Sequence, residues 1–183
     1  MPKALVRFPP AWRHHDHACL LALHRGARQP WICASLCLAS RAGDGLLWGV
    51  LILSLPWLGG PQGSRVAAVM AVMGVLHVVL VRWLKQRVAR PRPFECCEGV
   101  RACAPQLDRH SFPSGHTLHA VAFSTVLTAQ DPLWGWLLWP FSAAVALSRM
   151  VLGLHFPSDV LAAALLGLLG GGAALAVLRS LGA

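Results

Sequence analysis

From Ser148 to Asp159 the chain reads Ser-Arg-Met-Val-Leu-Gly-Leu-His-Phe-Pro-Ser-Asp, which sets Arg149, His155 and Asp159 into an otherwise apolar third of the sequence. Charge in apolar surroundings is costly, so groups of this kind are usually paired or functional. A carboxylate four residues beyond a histidine suits an imidazole held in one tautomer and steadied when positive. Such a ring can be a nucleophile or a base. The Arg149 guanidinium is a rigid fork for an oxyanion, most naturally phosphate. On this stretch alone, a helix-end arginine snorkelling to water beside a loop histidine accounts for the residues equally well.

Two further clusters bear on the same chemistry. Lys85-Gln-Arg87-Val-Ala-Arg90-Pro91-Arg92-Pro93 is a basic exit from an apolar run. By itself it could be a patch for lipid head groups. Phe112-Pro113-Ser114-Gly115-His116 opens another apolar run. Ser114 suits an N-cap, and Gly115 lets a backbone N–H approach a ligand closely. The helix start would offer free N–H groups and its positive dipole end to an anion. His116 is then placed to donate a proton. Taken alone, the four residues from Pro113 to His116 could be an ordinary turn and helix start.

The elements that must position these residues follow from composition. The chain has 183 residues, 56% of them hydrophobic and 13% charged, with a net charge of +9. One domain spanning residues 1–183 is expected, in the membrane class. The basic residues sit between apolar runs, which favours lipid head groups or a phosphorylated substrate over nucleic acid. Several Trp (Trp31, Trp48, Trp57, Trp83, Trp134, Trp139) fall near run ends, as in interfacial belts.

Residues 1–15 are basic and expected at the surface, without the pattern of a cleaved signal peptide. Residues 16–27 read as an amphipathic helix lying in the interface. Apolar runs follow at 29–40, 46–60, 65–84, 114–130, 133–150 and 159–179, giving about six spans. Turns are expected at 41–45 and 61–64, with Ser64 capping the third span. Residues 85–112 are the one long polar segment, read as a loop covering a site. Gly167, Gly170, Gly171 and Gly172 suit close helix packing in lipid. With six spans, the loops after the first, third and fifth share one side with the start of the fourth. Asp44, the 85–112 segment and residues 149–158 therefore meet at one membrane face.

Together the three clusters resemble the signature of the type 2 phosphatidic acid phosphatase (PAP2) superfamily, which also includes vanadium haloperoxidases. Its parts are K-x6-R-P, P-S-G-H and S-R-x5-H-x3-D. They match Lys85 with Arg92-Pro93, Pro113 to His116, and Ser148-Arg149 with His155 and Asp159. The resemblance covers Lys85 to Asp159; outside it, only six hydrophobic helices are shared.

The resemblance implies an all-α, polytopic helical bundle with a PAP2/haloperoxidase-like core. It also implies roles. His155 attacks phosphorus and forms a phosphohistidine. Asp159 orients and balances His155. His116 protonates the leaving oxygen and then activates water. Lys85, Arg92, Ser114, Gly115 and Arg149 hold the phosphoryl oxygens. No metal or cofactor is implied, because the cations carry the charge. Arg90 is a plausible neighbour, since Arg90-Pro91 also reads R-P. Asp44 and Asp108 remain as stray acids of structural character. His77 reads as a satisfied interior histidine, and His110 and His119 as loop and helix-face residues.

The expected partner is a membrane lipid phosphate: undecaprenyl diphosphate, phosphatidylglycerol phosphate, phosphatidic acid or a lipid A phosphate. The motifs do not choose among them. The expected place is a bacterial inner membrane, multi-pass, with the site on the extracytoplasmic face. That face is taken from the resemblance, because the loop charges are nearly level. A transporter or flippase that binds without cleaving is the rival reading, and a vanadate-dependent haloperoxidase a third. Cys33 and Cys37 read as small buried hydrophobes. Cys103 could pair with Cys96 or Cys97 in an oxidising compartment.

Overall fold

A computed structural model describes residues 10–106 and 108–182. Residues 1–9 of the expected surface-lying N-terminal stretch lie outside the described residues. The helices are α1 (Pro10–His24), α2 (Pro30–Ala42), α3 (Leu46–Val88), a short α4 (Pro93–Cys96), α5 (Gly115–Gln130), α6 (Leu133–Val151) and α7 (Pro157–Ser180). A 3-10 turn, Arg25–Arg28, joins α1 to α2. No strand occurs among the described residues.

The 46–60 and 65–84 runs are the two arms of α3. Gly60 has φ 54 and ψ −136, a conformation open to glycine and strained for other residues. Pro61 follows, and the chain doubles back. Trp48 on the first arm and Gly74 on the second both lie against Phe123 of α5, with ring centroids 5.3 Å apart for the Trp48–Phe123 pair. The expected turn at 61–64 therefore contracts to one residue. Ser64 does not cap a new helix; its hydroxyl bonds back to the Gly60 carbonyl at 3.0 Å.

Helix α5 is the centre of the bundle. Its side chains Ala120, Ala122, Phe123, Val126 and Leu127 are buried with Trp48, Met70, Val145 and Leu178 from the surrounding helices. Large apolar side chains such as Leu53, Val79, Trp136, Leu161 and Leu169 point outward and stay exposed. A helical bundle apolar on the outside as well as inside is built for lipid. By length and composition, two stretches, Leu46–Cys96 and Pro157–Ser180, are long and apolar enough to cross a membrane. Of the six apolar runs expected, those at 46–60 and 65–84 both lie in the first of these stretches, and α2 and α5, with 13 and 16 residues, are about 20 and 24 Å of helix against a hydrocarbon core of about 30 Å.

The glycines of α7 divide. Gly167 and Gly171 face α5, Gly170 faces the His77 ring, and Gly172 faces open space, so it takes no part in the expected packing. A Cβ on Gly167 would stand 2.7 Å from the Leu118 carbonyl oxygen and 3.0 Å from the Val121 Cβ. Backbone cannot move aside cheaply. Gly167→Ala is therefore expected to destabilise the bundle by about 1–3 kcal/mol, while Gly172→Ala leaves it unchanged. Thermal unfolding of the two variants in detergent checks this.

The expected interfacial helix at 16–27 is α1 plus the 3-10 turn, beginning earlier than the sequence pattern suggests. It does more than lie on a surface. Asp16 and Leu20 are buried, and Asp16 reaches Arg90 and Ser158.

Candidate active site

The site-bearing ends of the helices meet on one side, as the span count requires. The α2–α3 turn, the end of α3, the start of α5, the end of α6 and the start of α7 converge there. At the other end, Arg65 bonds the Leu181 and Gly182 carbonyls, and Gln62 meets Gln130.

Backbone hydrogen bonds stitch the three motifs together. Ser111 N–H donates to the Arg90 carbonyl at 3.0 Å, and Ser114 N–H donates to the Asp159 carbonyl at 3.3 Å. Leu154 and His155 N–H both donate to the Arg149 carbonyl, each at 3.0 Å, which curls residues 149–155 into a tight loop. Gly153 in that loop has φ 72 and packs against the Arg101 carbonyl, so a side chain fits neither the backbone nor the space.

His155 is 1% exposed. Its Nδ1 lies 2.6 Å from the Ser111 carbonyl oxygen, which can only accept, so Nδ1 carries the proton. The lone pair is then on Nε2, which faces the Arg92 Nη1 at 3.4 Å. The Asp159 carboxylate lies close to the ring but outside hydrogen-bond distance, with Oδ2 3.8 Å from Nδ1. Asp159 instead accepts from Arg90 Nη1 at 2.6 Å and from Phe156 N–H at 2.8 Å. A carbonyl from the polar loop has taken the near position, and the carboxylate braces the turn behind the ring. Ser111 had no signal in the sequence, because a backbone acceptor leaves no residue-type trace.

Burial, followed by the charges of Arg149, Arg92, Lys85 and His116, holds the His155 pKa well below the ordinary histidine value. The ring is kept neutral, as a nucleophile requires. The same shift makes stability depend on pH. Below about 6.5 the unfolded chain takes up a proton that the folded ring refuses. Its contribution is therefore complete above that pH and is lost as the solution is acidified. His155→Gln is expected to flatten the fall in thermal midpoint between about pH 7 and 5 relative to the unsubstituted chain. Parallel melting curves in detergent measure it.

The cations are buried too: Lys85 at 6%, Arg92 at 1% and Arg149 at 2% exposure. Lys85 Nζ donates to Asp108 Oδ1 at 2.7 Å, and Arg92 Nη2 to the same oxygen at 2.8 Å. Arg92 also donates to the Leu154 carbonyl at 2.8 Å. Asp108, read from sequence as a stray acid, thus bridges two of the expected phosphate ligands. Burial works against its charge, but the Lys85 and Arg92 contacts outweigh it and hold the carboxyl below its usual range. Arg149 donates to the Ser40 hydroxyl, and its Nε is buried without a hydrogen-bond partner.

His116, in the first turn of α5, is paired through Nε2 with the Asp44 carboxylate. Asp44 was also read as a stray acid. The sequence signal was its loop, which the span count puts on the site side; spacing alone could not pair residues this far apart. Ser114 is the N-cap by position, but its hydroxyl meets the Thr117 hydroxyl at 3.0 Å rather than a backbone N–H. Gly115 begins α5, with open approach except for Val81 at 3.6 Å from a Cβ position.

Other residues fall outside the cluster. His77 packs on the His119 ring and its Nδ1 has no partner, so it is not the satisfied interior histidine expected. His119 faces the Gly115 and Gly74 carbonyls at 2.9 and 3.3 Å, and the His110 carbonyl accepts from Lys85 at 2.9 Å. All six cysteines are free thiols. Cys33 and Cys37 are half-buried rather than core residues, and Cys103 lies beside Cys37, whose thiol meets its carbonyl at 3.4 Å. Cys103 is bonded to neither Cys96 nor Cys97.

Fold and site define a helical-bundle protein with a buried cationic cluster around a neutral histidine. Residues 63–182 match the model of the PAP2 superfamily, and the chain belongs to that family. The structure superposes on a transmembrane PAP2-type phosphatidylglycerolphosphate phosphatase from Bacillus subtilis with a TM-score of 0.80, at 22% identity over 94% of this chain and 88% of that one. It superposes on Aquifex aeolicus LpxE with a TM-score of 0.71, at 26% identity over 87% of this chain and 94% of that one. In sequence, the chain is 32% identical over 104 residues to a Sulfolobus acidocaldarius protein named undecaprenyl-diphosphatase, covering 56% of this chain and 50% of the relative. It is 34% identical over 112 residues to Bacillus subtilis undecaprenyl-diphosphatase BcrC, covering 61% and 58%. The match thus spans about half the length of these relatives.

Proposed function

We propose that this chain is a lipid phosphatase that cleaves a phosphate or diphosphate ester at a membrane surface, without a metal ion, through a phosphohistidine. One observation carries the reading. Three buried cations act on a histidine whose Nε2 carries its lone pair and faces Arg92 Nη1 at a long 3.4 Å, and one guanidinium N–H among the cations is unsatisfied. Buried polar groups are ordinarily paired, so the pocket calls for an anion.

In the first step His155 Nε2 attacks phosphorus while the bond to the leaving oxygen breaks. His116 gives that oxygen its proton. In the second step His116 takes a proton from water, the hydroxide attacks the phosphohistidine, and phosphate leaves with the P–N electron pair returned to Nε2. Lys85, Arg92, Arg149 and the Gly115 N–H neutralise the charge that builds on the equatorial oxygens. Asp44 holds His116 toward the leaving group. Asp159 acts through Arg90 and the 156–159 turn on the loop that carries His155.

For the substrate we favour a polyprenyl diphosphate, since the sequence relatives bear that name. A single domain, multi-pass in a bacterial cell membrane with its site on the extracytoplasmic face, completes the reading. Phosphate release by the purified protein from undecaprenyl diphosphate, phosphatidylglycerol phosphate and phosphatidic acid tests it. The diphosphate is expected to turn over fastest. Release from none of them overturns the proposal, and lipid binding without release favours a transporter.

The carboxylate of Asp108 occupies donors that the substrate phosphate needs. It competes with substrate at Lys85 and Arg92. Asp108→Asn is therefore expected to lower KM by up to about fivefold, the scale of one exposed charge pair, with kcat little changed. A raised KM would instead make Asp108 a support for the two cations. Steady-state kinetics on the favoured lipid decides the sign.

A further inference from the structure

A cavity of about 590 Å³ lies outside the motif cluster, between α1, the 3-10 turn and the polar loop. Its wall includes Leu21, His24, Arg25, Arg28, Val100 and Arg101, and no carboxylate is among the lining residues. The three arginines come from two separate segments. None of them takes part in the ion pairs found among the described residues. Like charges gathered round one hollow repel one another, and nothing in the cavity wall offsets them.

The floor is firm. His24 is 8% exposed, with Nδ1 2.8 Å from the Val151 carbonyl and Nε2 accepting the Arg101 N–H at 3.2 Å. Ala27 and Val100 are buried beside it. His24 therefore ties both sides of the cavity to the end of α6, two residues past Arg149. The volume suits a head group, for which pockets of roughly 300–1,000 Å³ are usual. Guanidinium forks favour phosphate oxygens over other anions, and the Leu21 and Val100 side chains offer apolar contact next to them.

We propose that this cavity is a second phosphate-binding site, distinct from the catalytic cluster, that takes either the phosphodiester head group of an anionic lipid or free phosphate. It adds a binding site to the phosphatase reading and stands independently of it, because its test reads bound ligand rather than turnover.

The full chain in detergent is examined by native mass spectrometry with phosphatidylglycerol, with an uncharged glycolipid, and with inorganic phosphate as competitor. Phosphatidylglycerol adducts are expected to persist in Lys85→Gln/Arg149→Gln, which disables the catalytic cluster. They are expected to fall roughly tenfold in Arg25→Gln/Arg28→Gln/Arg101→Gln, the loss of charge-assisted contacts. Competition by inorganic phosphate assigns the site to free phosphate, and its failure assigns it to the lipid head group; either supports the proposal. Equal retention in the triple variant, equal retention of the glycolipid, or loss in the Lys85→Gln/Arg149→Gln variant overturns it. Thermal melting verifies that the triple variant is folded; if it is not, Arg25→Glu, a single change at an exposed position, is read by the same criteria.

Discussion

His155→Ala abolishes phosphate release: the expected loss is on the order of 10⁴-fold or more, the scale seen when an attacking group is removed and only binding and electrostatics remain. No neighbour can take over. The other ring in the cluster, His116, is turned to Asp44, and the arginines are not nucleophiles. The variant should still bind substrate, because Lys85, Arg92 and Arg149 are untouched. Burst measurements on the unsubstituted protein should show one phosphoryl group trapped per site after an alkaline quench, which the P–N bond survives and an acid quench would break, and none in the variant. Phosphate release from His155→Ala within tenfold of the unsubstituted rate would mean that water attacks directly, and would end the covalent reading.

The second large effect concerns proton delivery. His116→Ala is expected to slow cleavage of an unactivated lipid ester by about 10²–10⁴-fold, the usual range for a lost general acid. An aryl phosphate, whose leaving group needs little protonation, should lose far less. Asp44→Asn should follow the same split with smaller amplitude, because the amide keeps the contact and loses the charge. Asp44→Glu should restore part of the difference. A structural role for Asp44 would slow both esters alike. Comparing the lipid with an aryl phosphate in all three variants separates the possibilities. Equal losses with both esters in His116→Ala would remove it from the acid role.

These two predictions differ in how far the sequence could reach. His155, His116 and the cations were legible because their chemistry is local: residue type and spacing name them, and an apolar run on either side makes a charge conspicuous. The helix ends were legible for the same reason. The runs at 114–130, 133–150 and 159–179 fall within a few residues of α5, α6 and α7. Six-fold alternation of spans also put Asp44 and residues 85–112 on the site side.

Partners across the site were not legible. Ser111 supplies a carbonyl to His155, Asp108 bridges Lys85 and Arg92, Asp44 pairs with His116, and Asp16 of α1 reaches Arg90. All but the Asp108 bridge join segments far apart in the chain, and three of the four lie in or against the long polar loop, whose path no periodicity describes. The sharp reversal at Gly60 was missed in detail because Pro61-Gln-Gly-Ser reads as a turn whether the chain needs four residues or one.

By itself, then, the sequence determined the class, the helices and the identities of the reacting groups, since apolar period and charge in apolar runs are properties of neighbouring residues. Only the tertiary structure decided which oxygen faces which nitrogen. A hydrogen bond is set within a few tenths of an ångström. That precision comes from packing α1, α5 and the polar loop against one another, and from nothing written in any one stretch.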